Sequence, residues 1–134
     1  MPVIDIAARR LLHQQLIKTS FKHPHEIVSW FGAMQSQEYA SSKWGIGARL
    51  PGLREADVEK DLRNRSIIRT TVFRGTLHLV AANDLRWMLK LIAPAVKARM
   101  SSMNRNLGMD EPLFRKTSQL ITKAMQGGNH HTRK

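Results

Sequence analysis

The segment Met34-Gln-Ser-Gln-Glu-Tyr39 places two glutamines, Gln35 and Gln37, one residue apart with Glu38 directly behind them. An amide carries an acceptor oxygen and two N–H donors but exchanges no proton near neutral pH, so such a pair can orient a ligand or a water and cannot act as a base. Side chains at i and i+2 share a direction only on extended backbone; in a helix they lie about 200° apart. The pair therefore reads either as a polar exit from a helix or as two amides converging on one ligand or water. Glu38, as the next residue, is expected to point away from both.

A second chemistry-bearing group is basic. Arg63, Arg65, Arg69 and Arg74 fall within twelve positions around a change from helical to strand-like sequence. Arginine suits bidentate phosphate contact, although a charge cluster is ordinarily a solvated face. The six histidines, notably the pairs His23/His25 and His130/His131, have neither an HExxH spacing nor any cysteine beside them, so no metal site is expected. His78 lies in a strand-like run and reads first as a hydrogen-bonding core histidine, with site support as the alternative. Gly45 and Gly47 lack the rest of a dinucleotide-binding pattern, no Ser-His-Asp arrangement is advertised, and no cofactor is implied.

These residues need elements to hold them. Ile4, Ala8, Leu11, Leu12 and Leu16 predict a helix over 3–18. Pro24 opens a second helix, with Ile27, Val28, Phe31 and Met34 as its apolar stripe to about residue 34. Residues 41–49 predict a short third helix, Pro51-Gly52 a turn, and residues 54–64 a fourth helix with Val58 and Leu62 inward. Over 67–80 the β-branched and aromatic residues on either side of Arg74-Gly75 predict a hairpin. Asn83 is placed to cap a helix running through Leu85, Met88, Leu89 and Ile92 to Pro94 and on to 106, where Gly108 stops it. A last helix carries Leu113, Leu120, Ile121 and Met125 and ends at Gly127-Gly128.

Three helices and a hairpin between 24 and 80 follow the order of a winged helix-turn-helix. The expected organisation is an N-terminal helix (1–23), a winged-helix domain (24–82), a helical extension (83–128) and a polar tail (129–134). The fold class is mainly α with a small β-hairpin. The helix over 54–64 carries acids at 55, 57, 59 and 61, so it is not expected to read bases directly beside phosphates.

Composition narrows the partners. The 134 residues hold 22 Lys and Arg against 10 acids, a net charge of +12. Residues 1–96 carry 14 bases and 8 acids and residues 97–134 carry 8 and 2, so the shorter segment is the more densely positive. Such a balance points to a polyanion, nucleic acid above all. A membrane-surface helix wants bulky aromatics, and Phe114 is the only one in the basic C-terminal segment. No cysteine, signal peptide or 18-residue apolar run is present, so a cytoplasmic protein is expected.

Phe31-Gly-Ala-Met-Gln-Ser-Gln-Glu-Tyr-Ala40, Trp44-Gly-Ile-Gly-Ala-Arg49, and Arg74-Gly-Thr-Leu-His78 followed by Asp84-Leu85 and Trp87 resemble the AlkZ-type winged-helix DNA glycosylases. The resemblance implies tandem winged helices, with this chain matching the N-terminal portion as one unit of the array. It also implies excision of bulky alkylated purines, including interstrand crosslinks, from double-stranded DNA. The family's Gln-x-Gln or Gln-x-Asp pair falls on Gln35 and Gln37, with Ser36 where an aliphatic residue is usual. Arg63, Arg65, Arg69 and Arg74 would face DNA, and His78 would support the site. The ending 124–134 reads as the approach to a further winged helix, whose place another part of a longer chain or a second copy would take. The alternative is a non-catalytic DNA-binding winged-helix module.

Overall fold

The computed structural model describes residues 5–128, which pack as two units divided between Ile92 and Ala93. The first unit begins with α1 (Ile6–His13), whose N-cap Asp5 accepts from the Ala8 amide at 3.0 Å. Its apolar residues Ile6, Leu11 and Leu12 are exposed, so the helical periodicity is realised over a shorter span than 3–18 and on an uncovered face. Gln15, at φ +57°, ends the helix. Ile4 and the tail 129–134 lie outside the described residues.

The centre of the unit is α2 (Pro24–Phe31), α3 (Tyr39–Gly47) and α4 (Glu55–Arg63) against a three-stranded antiparallel sheet. The strands are β1 (Ala33–Gln35), β2 (Ile67–Thr71) and β3 (Leu77–Ala81), in the order β1-β3-β2. This is a winged-helix fold in which the expected hairpin has gained a third strand. The helix expected to reach residue 34 stops at Phe31, because Gly32 turns left-handed at φ +71° and its amide donates to Ser29. Met34, at helical spacing from Ile27 and Phe31, instead pairs with Leu79.

The sheet is apolar on both faces. Ile67 and Leu79 join Ile27, Val28, Ile46, Leu50 and Val58 in the main core, with Met34, Leu53 and Leu62 packed around it. Val72 and Val80 meet Met88 on the opposite face, with Ala33, Leu85 and Ile92 beside them. Each fully buried aliphatic side chain contributes about 1.5–3 kcal/mol. At the hairpin tip Arg74 and Gly75 both have positive φ (+51° and +79°), and Thr76 N–H donates to Phe73 at 3.0 Å. That is a type I′ turn, whose twist suits the flanking strands.

α5 (Ala82–Asn106) starts straight from β3, so Asn83 sits in its first turn and is not its cap, and it continues through Pro94 into the second unit. There Gly108, at φ +64°, precedes α6 (Glu111–Ala124), capped by Asp110 on the Leu113 amide. Leu113, Phe114, Leu120 and Ile121 of α6 are exposed. Among the described residues no helix is long and apolar enough to cross a membrane, and no three His, Asp or Glu gather as a metal-holding group.

Candidate functional site

The Gln-Ser-Gln segment leaves the sheet along its edge strand. Gln35 is paired with His78, and Ser36 N–H continues the ladder by donating to the Leu77 carbonyl at 2.8 Å. In a regular antiparallel pair the Ser36 carbonyl would receive the Leu77 N–H in return. Here the Gln37 side-chain oxygen takes that hydrogen at 2.8 Å. The Ser36 carbonyl is held by Arg69, from Nη2 at 2.8 Å and Nε at 3.1 Å. Arg69 therefore reaches across β3 to fix the point where β1 ends.

Ser36 points the other way, into the protein, and is 1 % exposed. Its hydroxyl lies 2.9 Å from that of Ser42 and 3.1 Å from Arg69 Nε. Since Ser42 donates its hydrogen to the Tyr39 carbonyl at 2.7 Å, Ser36 must be the donor to Ser42, and Arg69 the donor to Ser36. A hydroxyl at this position is thus fully used, which accounts physically for a buried serine.

Gln35 and Gln37 both border one cleft of about 520 Å³, within the size range of small-molecule sites. Phe31, Ala33 and Met34 supply an apolar wall, and Ser41, Ser42, Glu38, Gln14 and Arg49 the polar one. Glu38 was expected to point away from the glutamines, yet it lines the same cleft. The alternation of a strand no longer applies beyond Gln35, and Glu38 is already the cap position of α3. Because a backbone N–H can only donate, the atom of Gln37 facing Leu77 is its oxygen, and its NH2 group is directed elsewhere.

Arg49 and Gln14 were not marked as site residues by the sequence. Arg49 stacks over Phe31 with its guanidinium carbon 4.9 Å from the ring centre and donates to both oxygens of Gln14, at 2.9 Å to the carbonyl and 3.1 Å to the side chain. Burial lowers the Arg49 guanidinium from its ordinary value. No sequence pattern joins residues 35 positions apart, so only Arg49 was discoverable, as part of the Trp44–Arg49 motif.

The four arginines do not form one patch. Arg69 is committed to Ser36 and the Gln37 carbonyl and lies 5.3 Å from the Tyr39 ring centre. Arg63 ends α4, and Arg65, at φ +66°, opens the hairpin at its base; both are exposed. Arg74 stands exposed at the tip, beyond a five-residue strand of roughly 17 Å. His78 is 9 % exposed and is not among the cleft-lining residues. Its Nδ1 lies 2.9 Å from the Thr76 carbonyl, so that nitrogen carries the hydrogen, and Phe73 meets its ring edge-on.

The acids of α4 are also engaged internally. Lys43 bridges Glu55 and Glu59, and Tyr39 donates to both oxygens of Glu59 at 2.9 Å. Asp57 caps Arg54 N–H at 2.9 Å, and Asp61 faces His25 Nδ1 at 2.8 Å. The Glu55 and Glu59 carboxylates raise the Lys43 ammonium above its usual range.

A family model for AlkZ-like DNA glycosylases matches residues 28–134. The chain belongs to this family. No curated protein sequence matches it. Among solved structures it is similar to the DNA glycosylase AlkZ of Streptomyces sahachiroi, with a TM-score of 0.75 at 19 % identity over 88 % of this chain. The match spans 32 % of that protein, so this AlkZ-like chain covers about a third of its length.

Proposed function

We propose that this chain carries the water-positioning motif of a monofunctional DNA glycosylase, which hydrolyses the N-glycosidic bond of an N7-alkylated or crosslinked purine in duplex DNA. The observation that carries the reading is the sharing of one cleft by Gln35, Gln37 and Glu38 while Ser36 between the glutamines is turned into the core. Family membership supports the substrate class.

An N7-alkylated purine is already cationic, so it leaves without being protonated. Water oxygen bonds to C1′ as the C1′–N9 bond breaks, its electron pair neutralises the departing purine, and the water loses a proton. The protein's task is then orientation and charge stabilisation. The Gln35 oxygen can accept from the water while a Gln37 N–H donates to it, leaving one lone pair for C1′. Glu38 supplies the carboxylate that favours the oxocarbenium-like transition state and takes up the proton. Arg63, Arg65 and Arg74 are assigned to DNA phosphates. Arg69 and His78 act by fixing the motif and the strand opposite it. Further winged helices, from a longer chain or a second copy, would complete the DNA cradle.

The test is base release from duplex DNA carrying N7-alkylguanine, with the chain in excess and the Gln35→Ala, Gln37→Ala double variant as control. Product with the parent chain only supports the reading. Salt-sensitive DNA binding without product would leave a non-catalytic winged-helix module.

A further inference from the structure

The amide of Gln14 is the third in the cleft, and it comes from the segment ahead of the residues the family model matches. Its orientation is fixed by chemistry. Arg49 has only donors, so the Gln14 atom 3.1 Å from Nη2 is the oxygen, and the Gln14 carbonyl is held by the same guanidinium at 2.9 Å. The Gln14 NH2 group keeps both hydrogens without a partner among the described residues. Gln14 lines the cleft beside an apolar wall of Phe31, Ala33 and Met34, with those donors uncommitted.

We infer that Gln14 is a specificity residue that donates to the oxygen at position 6 of the damaged purine, and that Arg49 is the positioning residue that aims it. This rests on the reading of the cleft as the lesion site. Glu38 and Arg49 both line the cleft, so its fixed charges offset one another and the choice of base falls to the amides and the apolar wall. A flat purine ring fits the apolar wall, and its edge then meets the amide. Guanine offers an acceptor at position 6 where adenine offers an amino group, which would face the Gln14 donors unpaired. The cleft should therefore prefer alkylguanine to alkyladenine.

The experiment is equilibrium binding to duplexes carrying N7-methylguanine or N7-methyladenine on a 2′-fluorinated sugar, which keeps the glycosidic bond intact. The parent chain is expected to prefer the guanine duplex by about tenfold, the gain from one hydrogen bond and one avoided mismatch. Gln14→Ala should bring that ratio to near one. Arg49→Lys, which cannot hold both Gln14 oxygens in a fork, should lower it while keeping the charge. Because the readout is a ratio, a uniform loss of affinity cancels. Equal binding by the parent chain, or a ratio unchanged by Gln14→Ala, overturns the inference. Base release is followed in parallel on unfluorinated duplexes: preference without release would remove the catalytic reading and leave this one standing.

Discussion

The side-chain oxygen of Gln37 receives the Leu77 amide hydrogen at 2.8 Å, in the place a continued ladder would give to the Ser36 carbonyl. Gln37 is thereby a structural group as well as a cleft residue, whereas the Gln35 side chain has no hydrogen-bond partner among the described residues. The two glutamines should separate experimentally.

Gln37→Ala is expected to cost about 1 kcal/mol of stability, the net worth of one hydrogen bond, measured by urea unfolding. Gln35→Ala should leave the unfolding midpoint in place. On the proposed chemistry each lowers single-turnover base release, by about 10²–10³ for loss of one preorganised contact. A Gln35→Ala chain that unfolds early but retains its rate would contradict both halves.

Arg69 behaves differently from the other arginines because its donors are already engaged by Ser36 and Gln37. Arg69→Lys keeps the charge but cannot span these acceptors, so it should destabilise by roughly 1–2 kcal/mol and slow base release. The salt dependence of DNA binding should stay unaltered. A reduced salt slope with full stability would place Arg69 on DNA instead.

What the sequence made legible follows the range of each signal. Ile27, Val28 and Val58 at helical spacing are in the core, and Arg74-Gly75 marks the hairpin turn. β1 went unread because Ala33, Met34 and Gln35 include no β-branched residue and Met34 fits the preceding helical stripe; the overlooked signal was Gly32, a left-handed stop. Periodicity also marked α1 as amphipathic without saying what covers Leu11 and Leu12, which are exposed. Of the cleft, Gln35 and Gln37 were legible by their spacing, and Arg49 through the Trp44–Arg49 motif. Arg49 on Gln14, and Arg69 on Ser36, are contacts across more than 30 residues that local pattern does not encode.

The pH dependence of stability has an acid limb with named causes. Backbone N–H groups of Lys22 and His23 hold the Glu26 carboxyl below its ordinary 4.5, and Lys43 followed by Tyr39 does the same for Glu59. A carboxyl depressed in the folded state binds fewer protons there than when unfolded, so it adds stability above pH 4.5 that disappears as pH falls through the folded value. Unfolding midpoints measured from pH 6 down to pH 2 should decline, and Glu26→Gln should flatten part of the decline. Lys43 is raised by Glu55 and Glu59, so its own deprotonation touches stability only above 10.5, while in acid the same pair is lost through the carboxylates. An acid limb unchanged by Glu26→Gln would show that the two backbone contacts at residues 22 and 23 do not persist in solution.

Arg74 offers the cleanest test of where DNA lies. It stands at the tip of a type I′ turn, exposed and distant along the strand from Arg63 and Arg65, and it belongs to neither hydrophobic cluster. Arg74→Gln should therefore leave stability intact while reducing the slope of log affinity against log salt by about 1, the signature of one lost phosphate contact. Arg65→Gln tests the hairpin base in the same way, but its left-handed backbone at φ +66° adds a control. Arg65→Gly relieves that conformation as it removes the charge, so a phosphate role predicts weaker binding with equal or greater stability. If Arg74→Gln alone alters the slope, DNA meets the wing tip; if only the Arg65 variants do, the duplex runs past the end of α4.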